Sequence, residues 1–269
     1  MLNVALYKQM LKTHGKSIAG YSIGSSLYLL LVIGLYPSIG GSKEMENLLK
    51  QMPEQFIRAF DLNTSMGNIT EFIAGKYYSL LFILILSIYC IMTANHLMAR
   101  LIDRGSIAYL LVTPHSRIKI ALTQAFVLLT GIIMIGLSTT VTGIIGAGWF
   151  ASDFPLELDT FFAINAIGML LFFVVSGYSF LFSVVVSDEK KALALAAGVT
   201  FLFYCMDLIG KMSEKVEWLR NISLFSTYPP AEIAQKNVEL LPLTILLAIL
   251  GIMFYAAGIL IFAKRDLGV

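Results

Sequence analysis

Asp103-Arg104-Gly105-Ser106-Ile107-Ala108-Tyr109-Leu110-Leu111-Val112-Thr113-Pro114-His115-Ser116-Arg117 is a polar-ended stretch set between two long apolar runs. Ile107, Leu110 and Leu111 fall at i, i+3 and i+4, which is one face of a short helix. Ser106 is placed to cap that helix. Pro114 ends it, because proline lacks the amide proton the helical ladder needs and pushes Thr113 out of the helical region. Ser116 is then placed to cap whatever begins next. A short helix held between two apolar runs is the shape of a loop that crosses a membrane face, and it makes the runs on either side membrane spans.

Composition supports that reading. The chain has 269 residues, 58% of them hydrophobic and 13% charged, with a mean hydropathy of +0.81. A soluble domain is about half apolar and about a quarter charged, so the chain is expected to be an all-α polytopic membrane protein with a single transmembrane domain over residues 1–269. Each crossing takes about 20 apolar residues. Working outward from the loop, the spans are expected at about 77–97 and 118–148 on its two sides, then 18–39 before them and 160–186, 192–209 and 241–262 after. Cys90 and Cys205 lie in separate apolar runs, so neither a disulfide framework nor a metal site is expected.

The amino-terminal residues lack the compact apolar core and small-residue cleavage site of a signal peptide. They read instead as an amphipathic helix on the membrane surface, with Leu2, Leu6 and Met10 to one side and Lys8 and Lys12 elsewhere. In the first span Gly20 and Gly24 form a G-x-x-x-G pair, small enough for another helix to approach closely. Between the first two spans Met45, Leu48, Leu49, Met52, Phe56 and Phe60 keep helical spacing, with a bend expected at Pro53. Gly131, Gly136, Gly143, Gly146 and Gly148 mark the second half of the third span for close packing or a bend. The segment from Gly210 to Leu240 is too polar to cross.

Six spans put both termini on one side, and charge selects it. The termini and even-numbered loops carry eleven lysines and arginines against four acids, whereas the rest of the chain carries eight against thirteen. Positive loops stay in the cytoplasm, which places both termini and the 103–117 stretch there.

Chemistry is harder to find. His14, His96 and His115 are scattered, and no metalloprotease spacing occurs. Gly15-Lys16-Ser17 has the trailing hydroxyl of a phosphate-binding loop, but Met10 stands where its first glycine belongs. Gly75-Lys76 and Gly210-Lys211 lack both features. The chain is therefore expected not to be an enzyme, to bind no cofactor or metal itself, and to leave any ATP hydrolysis to a separate polypeptide. Nothing in it points to nucleic acid. Asp207 is the one acid well inside an apolar run, roughly 22 Å from the inner surface counting from Ala192. It is either a pathway residue touching a polar substrate or an interface acid paired with Lys211 at i+4.

The pattern Asp/Glu-x-Gly-Ser/Thr-(x)3-Leu-Leu-x-x-Pro-x-Ser-Arg, present from Asp103 to Arg117, resembles the loop after the second span in permeases of the type-2 ABC exporter class. Gly20-Tyr21-Ser22-Ile23-Gly24, with Tyr36-Pro37-Ser38-Ile39, is similar to the opening of that family. Trp218 to Pro229 is similar to its outer re-entrant segment, with a departure at Ser226-Thr227-Tyr228, where relatives more often carry an aromatic pair. The resemblance implies that the loop is a cytoplasmic coupling helix docking on an ATPase subunit through Asp103, Arg104, Gly105, Ser106, Ile107, Tyr109, Leu110, Leu111, Pro114 and Arg117. It also implies two ABC ATPase subunits that hold ATP and Mg²⁺, a second permease copy or homologue, and a bacterial cell membrane with its lipids as the setting. The exported substrate would be amphipathic or hydrophobic: an antimicrobial peptide, a drug or a lipid-like molecule. The rival from another class is an ion-coupled secondary transporter, which would usually carry several buried ionisable groups or an internal repeat. Here Asp207 stands alone and no repeat is evident.

Overall fold

Helix propensity and the absence of water in a bilayer dictate the same answer: every backbone polar group must be paired within its own segment. In a computed structural model, whose described residues are 3–39, 51–59, 68–112 and 116–265, no strand occurs among those residues. The helices are α1 (Val4–Ile39), α2 (Glu54–Ala59), α3 (Ile69–Ile73), α4 (Leu81–Ala94), α5 (Arg100–Asp103), α6 (Ile107–Leu111), α7 (Arg117–Phe150), α8 (Leu158–Val185), α9 (Glu189–Met212), α10 (Pro230–Ala234) and α11 (Leu240–Lys264). Among the described residues six stretches are long and apolar enough to cross a membrane: α1, α4 continued through α5, α7, α8, α9 and α11. The chain is a polytopic all-α membrane protein. The face bearing Asn3 and Arg265 is called the terminal face below, and the other the distal face.

The last four crossings match the expected spans to within three residues at each end. The helices start earlier because their caps do. Ser116 Oγ accepts from Lys119 N at 3.4 Å and Asp188 Oδ1 from Lys191 N at 2.8 Å, so charged residues occupy first turns that hydropathy alone would leave outside. The first two crossings depart further. The expected surface helix and the first span are one helix of 36 residues; Gly15 alone is too weak a breaker to separate them. Its sidedness holds, with Leu6 and Met10 packed against the core while Lys8 and Lys12 stay exposed. It is docked on the third crossing rather than lying free, since Tyr7 and Thr130 share a hydrogen bond of 2.8 Å. The second crossing does not start at Tyr77. Residues 69–78 form a separate buried helical segment that ends in a π turn, and the chain breaks at Leu80 (φ −130°, ψ −66°) before α4 begins. A second π turn, Asn95–Ala99, joins α4 to α5.

The largest helix interfaces are α8 with α11 and α1 with α7. Hydroxyl bonds tie the bundle across its apolar interior: Tyr178 with Thr200 at 2.5 Å joins α8 to α9, and Tyr255 to Ser176 at 2.7 Å joins α11 to α8. The expected glycine packing on α7 is present at Gly131, where an added Cβ would lie 1.7 Å from Tyr89 Oη, and at Gly143, where it would meet Phe161 at 2.3 Å. Gly148 packs on nothing among the described residues. The amphipathic segment expected from Met45 to Phe60 lies mostly outside the described residues, which begin again at 51; its bend at Pro53 is there the start of α2.

On the distal face the polar segment after α9 dips back into the bundle. Ser223 Oγ donates to the carbonyl of Phe203 at 2.6 Å, and Phe203 sits fourteen residues into α9. Tyr228, at the departure from the family pattern, supplies the buried ring that faces Phe82.

Glu157 then fastens this segment to its neighbours. Its carboxylate accepts from Lys236 Nζ at 3.0 Å, Asn68 Nδ2 at 3.0 Å and Thr160 Oγ1 at 3.2 Å. The Lys236 ammonium holds the Glu157 carboxyl below the usual glutamate range. A carboxyl depressed in the folded state stabilises above its unfolded value of about 4.3 and loses that contribution as pH falls through the lower folded value. The Glu157 side chain is 40% exposed, so water screens the pair and Glu157→Gln is expected to cost roughly 0.5–1 kcal/mol at pH 7. Thermal unfolding in detergent checks this: wild type and E157Q should differ at neutral pH and converge as pH falls below the depressed value of the folded carboxyl.

Candidate functional site

The short helix on the terminal face is built from its glycine outward. Gly105 has φ +67°, a backbone conformation that costs glycine least, and this turn sends the chain from α5 directly into α6. Ser106 is consequently already helical (φ −65°, ψ −17°) and makes no side-chain cap, so the expected cap is absent: a capping side chain needs an extended backbone to reach forward. The Gly105 carbonyl instead accepts from Ala108 N at 3.1 Å.

On α6 the two sides differ sharply. Ile107 is 2% exposed and Leu110 packs against the core, whereas Tyr109 is 82% and Val112 87% exposed. Leu111 closes the helix. Pro114 lies outside the described residues, as do Thr113 and His115.

The charged residues expected to face a partner divide into two sets. Asp103 is exposed at the end of α5. Arg104 is exposed too, but its Nε lies 3.9 Å from Glu189 Oε2, and Arg100 Nε lies 3.9 Å from Glu189 Oε1. Arg117 turns inward, donating through Nη1 to the carbonyl of Arg265. Arg265 in turn donates to the carbonyl of Val184 and to Ser187 Oγ. Glu189 and Arg265 are not among the residues expected from sequence. A cue for Glu189 exists, since it follows a good capping aspartate in a charged turn, but nothing local names its partners.

A cavity of about 200 Å³ lies between α4 and α9. Leu84, Ser87 and Ile88 form one wall, Thr200 and Tyr204 the other, and Phe225 closes the distal end. The lining is apolar except for a few hydroxyls. Thr200 is already bonded to Tyr178, while Ser87 Oγ is buried without a hydrogen-bond partner among the described residues. An unpaired buried hydroxyl is costly, but Ser87 Oγ is shut off by its surroundings, so the wall a guest would meet is almost wholly apolar. Ser87 lies six residues into α4 and Thr200 eleven into α9, well inside the membrane thickness.

Asp207 is 7% exposed and does not line this cavity. Its carboxylate sits 3.3 Å from Lys211 Nζ, as the i+4 reading expects, and 3.6 Å from Arg220 Nε, which the sequence does not suggest. Arg220 also reaches Glu232 at 3.7 Å. The acid anchors the re-entrant segment to α9. Gly20 and Gly24 have nothing within 4 Å of an added Cβ, so their packing face is not used among the described residues.

A family model described as "Multidrug efflux system permease Rv1217c, C-terminal domain" matches residues 10–263. No curated protein gives a significant match.

Proposed function

The chain belongs to the multidrug efflux system permease family, and from that premise we propose that it is the membrane-spanning subunit of an ATP-driven exporter of hydrophobic or amphipathic drug-like molecules. The observation that carries the reading is α6. Two large apolar side chains, Tyr109 and Val112, stand free on a short helix that Ile107 anchors to the bundle. An apolar ridge on a charged membrane face calls for a protein partner, and a nucleotide-hydrolysing subunit is the partner that would give the ridge a purpose.

In this reading the terminal face is cytoplasmic, two ATPase subunits bind there with ATP and Mg²⁺, and a second permease copy or homologue completes the path in a bacterial cell membrane. Hydrolysis belongs to the partners. This chain supplies the cavity between α4 and α9, whose apolar walls accept a greasy guest. Closure of the partners pushes α6, and the crossings attached to it rock between inward- and outward-open arrangements. A peptide or lipid-like cargo meets the same walls, but a volume of about 200 Å³ suits a small molecule best.

The experiment is efflux of ethidium from cells expressing the chain with its native partners. Depleting ATP or adding vanadate is expected to stop efflux, whereas a protonophore that collapses the proton gradient leaves it running. The reverse pattern would replace this reading with ion-coupled secondary transport.

A further inference from the structure

Both ends of the segment that carries α6 converge on one place, the turn at 184–189 between α8 and α9. We propose that this turn is a clamp through which α6 moves the wall of the cavity it is not covalently joined to, with Glu189 and Arg265 as its positioning residues; the clamp rests on the coupling reading above.

The covalent connections of α6 run to α4 on one side and α7 on the other, so a push on α6 reaches the Ser87 wall along the backbone. The opposite wall, Thr200 and Tyr204, belongs to α9, which is eighty residues away in the chain. Before α6, Arg100 and Arg104 meet the two oxygens of Glu189, one each at 3.9 Å. After α6, Arg117 holds the Arg265 carbonyl, and the Arg265 guanidinium bridges the Val184 carbonyl and Ser187 Oγ. Asp188 caps α9 at 2.8 Å from Lys191 N, which fixes Glu189 in the first turn so that a pull on its carboxylate is a pull on the helix. The same arginine terminates α11. The clamp thus gathers the ends of α8, α9 and α11 into one body and ties it to both flanks of α6.

Arginine suits the bridging position because its planar fork presents several N–H groups at once, whereas a lysine ammonium is a single point. The Glu189 pairs are partly exposed, with side-chain exposures of 24% for Glu189, 38% for Arg100 and 58% for Arg104. Pairs of that kind add little to stability. Their consequence belongs to the transmission of movement, and that separates a positioning role from a merely structural one.

The test uses the permease with its ATPase partner in proteoliposomes, with ethidium as the probe. Glu189→Gln and Arg265→Lys are expected to keep ATPase binding and the melting temperature while ethidium moved per ATP hydrolysed falls about tenfold, the size of an ordinary coupling change. Arg100→Gln added to Glu189→Gln should cost nothing further, because the two side chains share one pair. Wild-type ethidium-to-ATP ratios in both single variants, or a further additive loss in the Arg100→Gln, Glu189→Gln double variant, would overturn the clamp. If no ATPase binds the unmodified chain, the coupling reading fails separately, and hydrogen exchange on the permease alone decides the clamp. E189Q must then speed exchange at 107–112 and 187–192 together, and unchanged exchange at either overturns it.

Discussion

Tyr109→Glu combined with Val112→Glu is expected to eliminate ethidium export while leaving the permease folded in the membrane. Both side chains are more than four-fifths exposed and touch none of the packed interior, and substitutions at such surface sites usually change stability by about 0.5 kcal/mol or less. In a docked complex the same two side chains lose their water. Burying an apolar side chain of this size contributes about 1.5–3 kcal/mol, so removing both forfeits about 3–6 kcal/mol and introduces two carboxylates that must be desolvated. That loss corresponds to an affinity for the ATPase weaker by about 10²–10⁴-fold. Pull-down of the ATPase on immobilised permease, alongside ethidium efflux, measures both sides of the claim. Full export by the double variant with the ATPase still bound would show that this ridge is not the docking surface.

Much of this short helix is legible in the amino-acid sequence alone. The i, i+3, i+4 spacing of Ile107, Leu110 and Leu111 names the inward face, and Tyr109 falls off it; the fold buries Ile107 and exposes Tyr109 accordingly. Local periodicity reports what a short helix hides, because neighbours three and four apart share a face. Capping chemistry follows residue type at Ser116 and Asp188 but not at Ser106. There the preceding glycine has already turned the chain into the helix, an effect of φ that no residue count reveals.

The limits appear wherever two distant segments meet. Asp207 with Lys211 is an i+4 pair and can be read from one helix, but its second cation, Arg220, arrives only because the re-entrant segment folds back. Glu189 with Arg104 and Arg265 with Ser187 are contacts across some eighty residues, and charge pattern alone gives every arginine of the terminal face an equal claim. The second crossing departs from expectation for a different reason. Tyr77 and Tyr78, like Ile73, are fully buried because protein surrounds them. Hydropathy cannot tell residues shielded by neighbouring helices from residues shielded by lipid, so it adds Tyr77 and Tyr78 to the span that follows.

The contact of the first three crossings supplies the second large effect, at Gly131. This glycine on α7 faces Tyr89 of α4 and Ile18 of α1, and a methyl placed on it would come within 1.7 Å of Tyr89 Oη and 3.2 Å of Ile18. Tyr89 has little room to retreat, since its ring is fully buried and its hydroxyl donates to the Leu128 carbonyl at 3.1 Å. Gly131→Ala must therefore push the ring off that bond. Overpacking a close-fitted interior costs about 1–3 kcal/mol, and stranding a buried hydroxyl adds about 1–3 kcal/mol, for a combined loss of about 2–6 kcal/mol. Tyr89→Phe removes the nearer of the two atoms in conflict and leaves ring carbon Cζ at 2.4 Å from the added methyl. The Leu128 carbonyl keeps its place in the α7 ladder without the hydroxyl, so Y89F alone should be mild, and Y89F with G131A should recover the share of the G131A loss that comes from the stranded hydroxyl while the ring overlap remains. Thermal unfolding of the four proteins in one detergent gives the double-mutant cycle directly. If the losses of the two single variants simply add, Tyr89 and Gly131 do not share the contact assigned to them, and the close approach of α4 and α7 must rest on other residues.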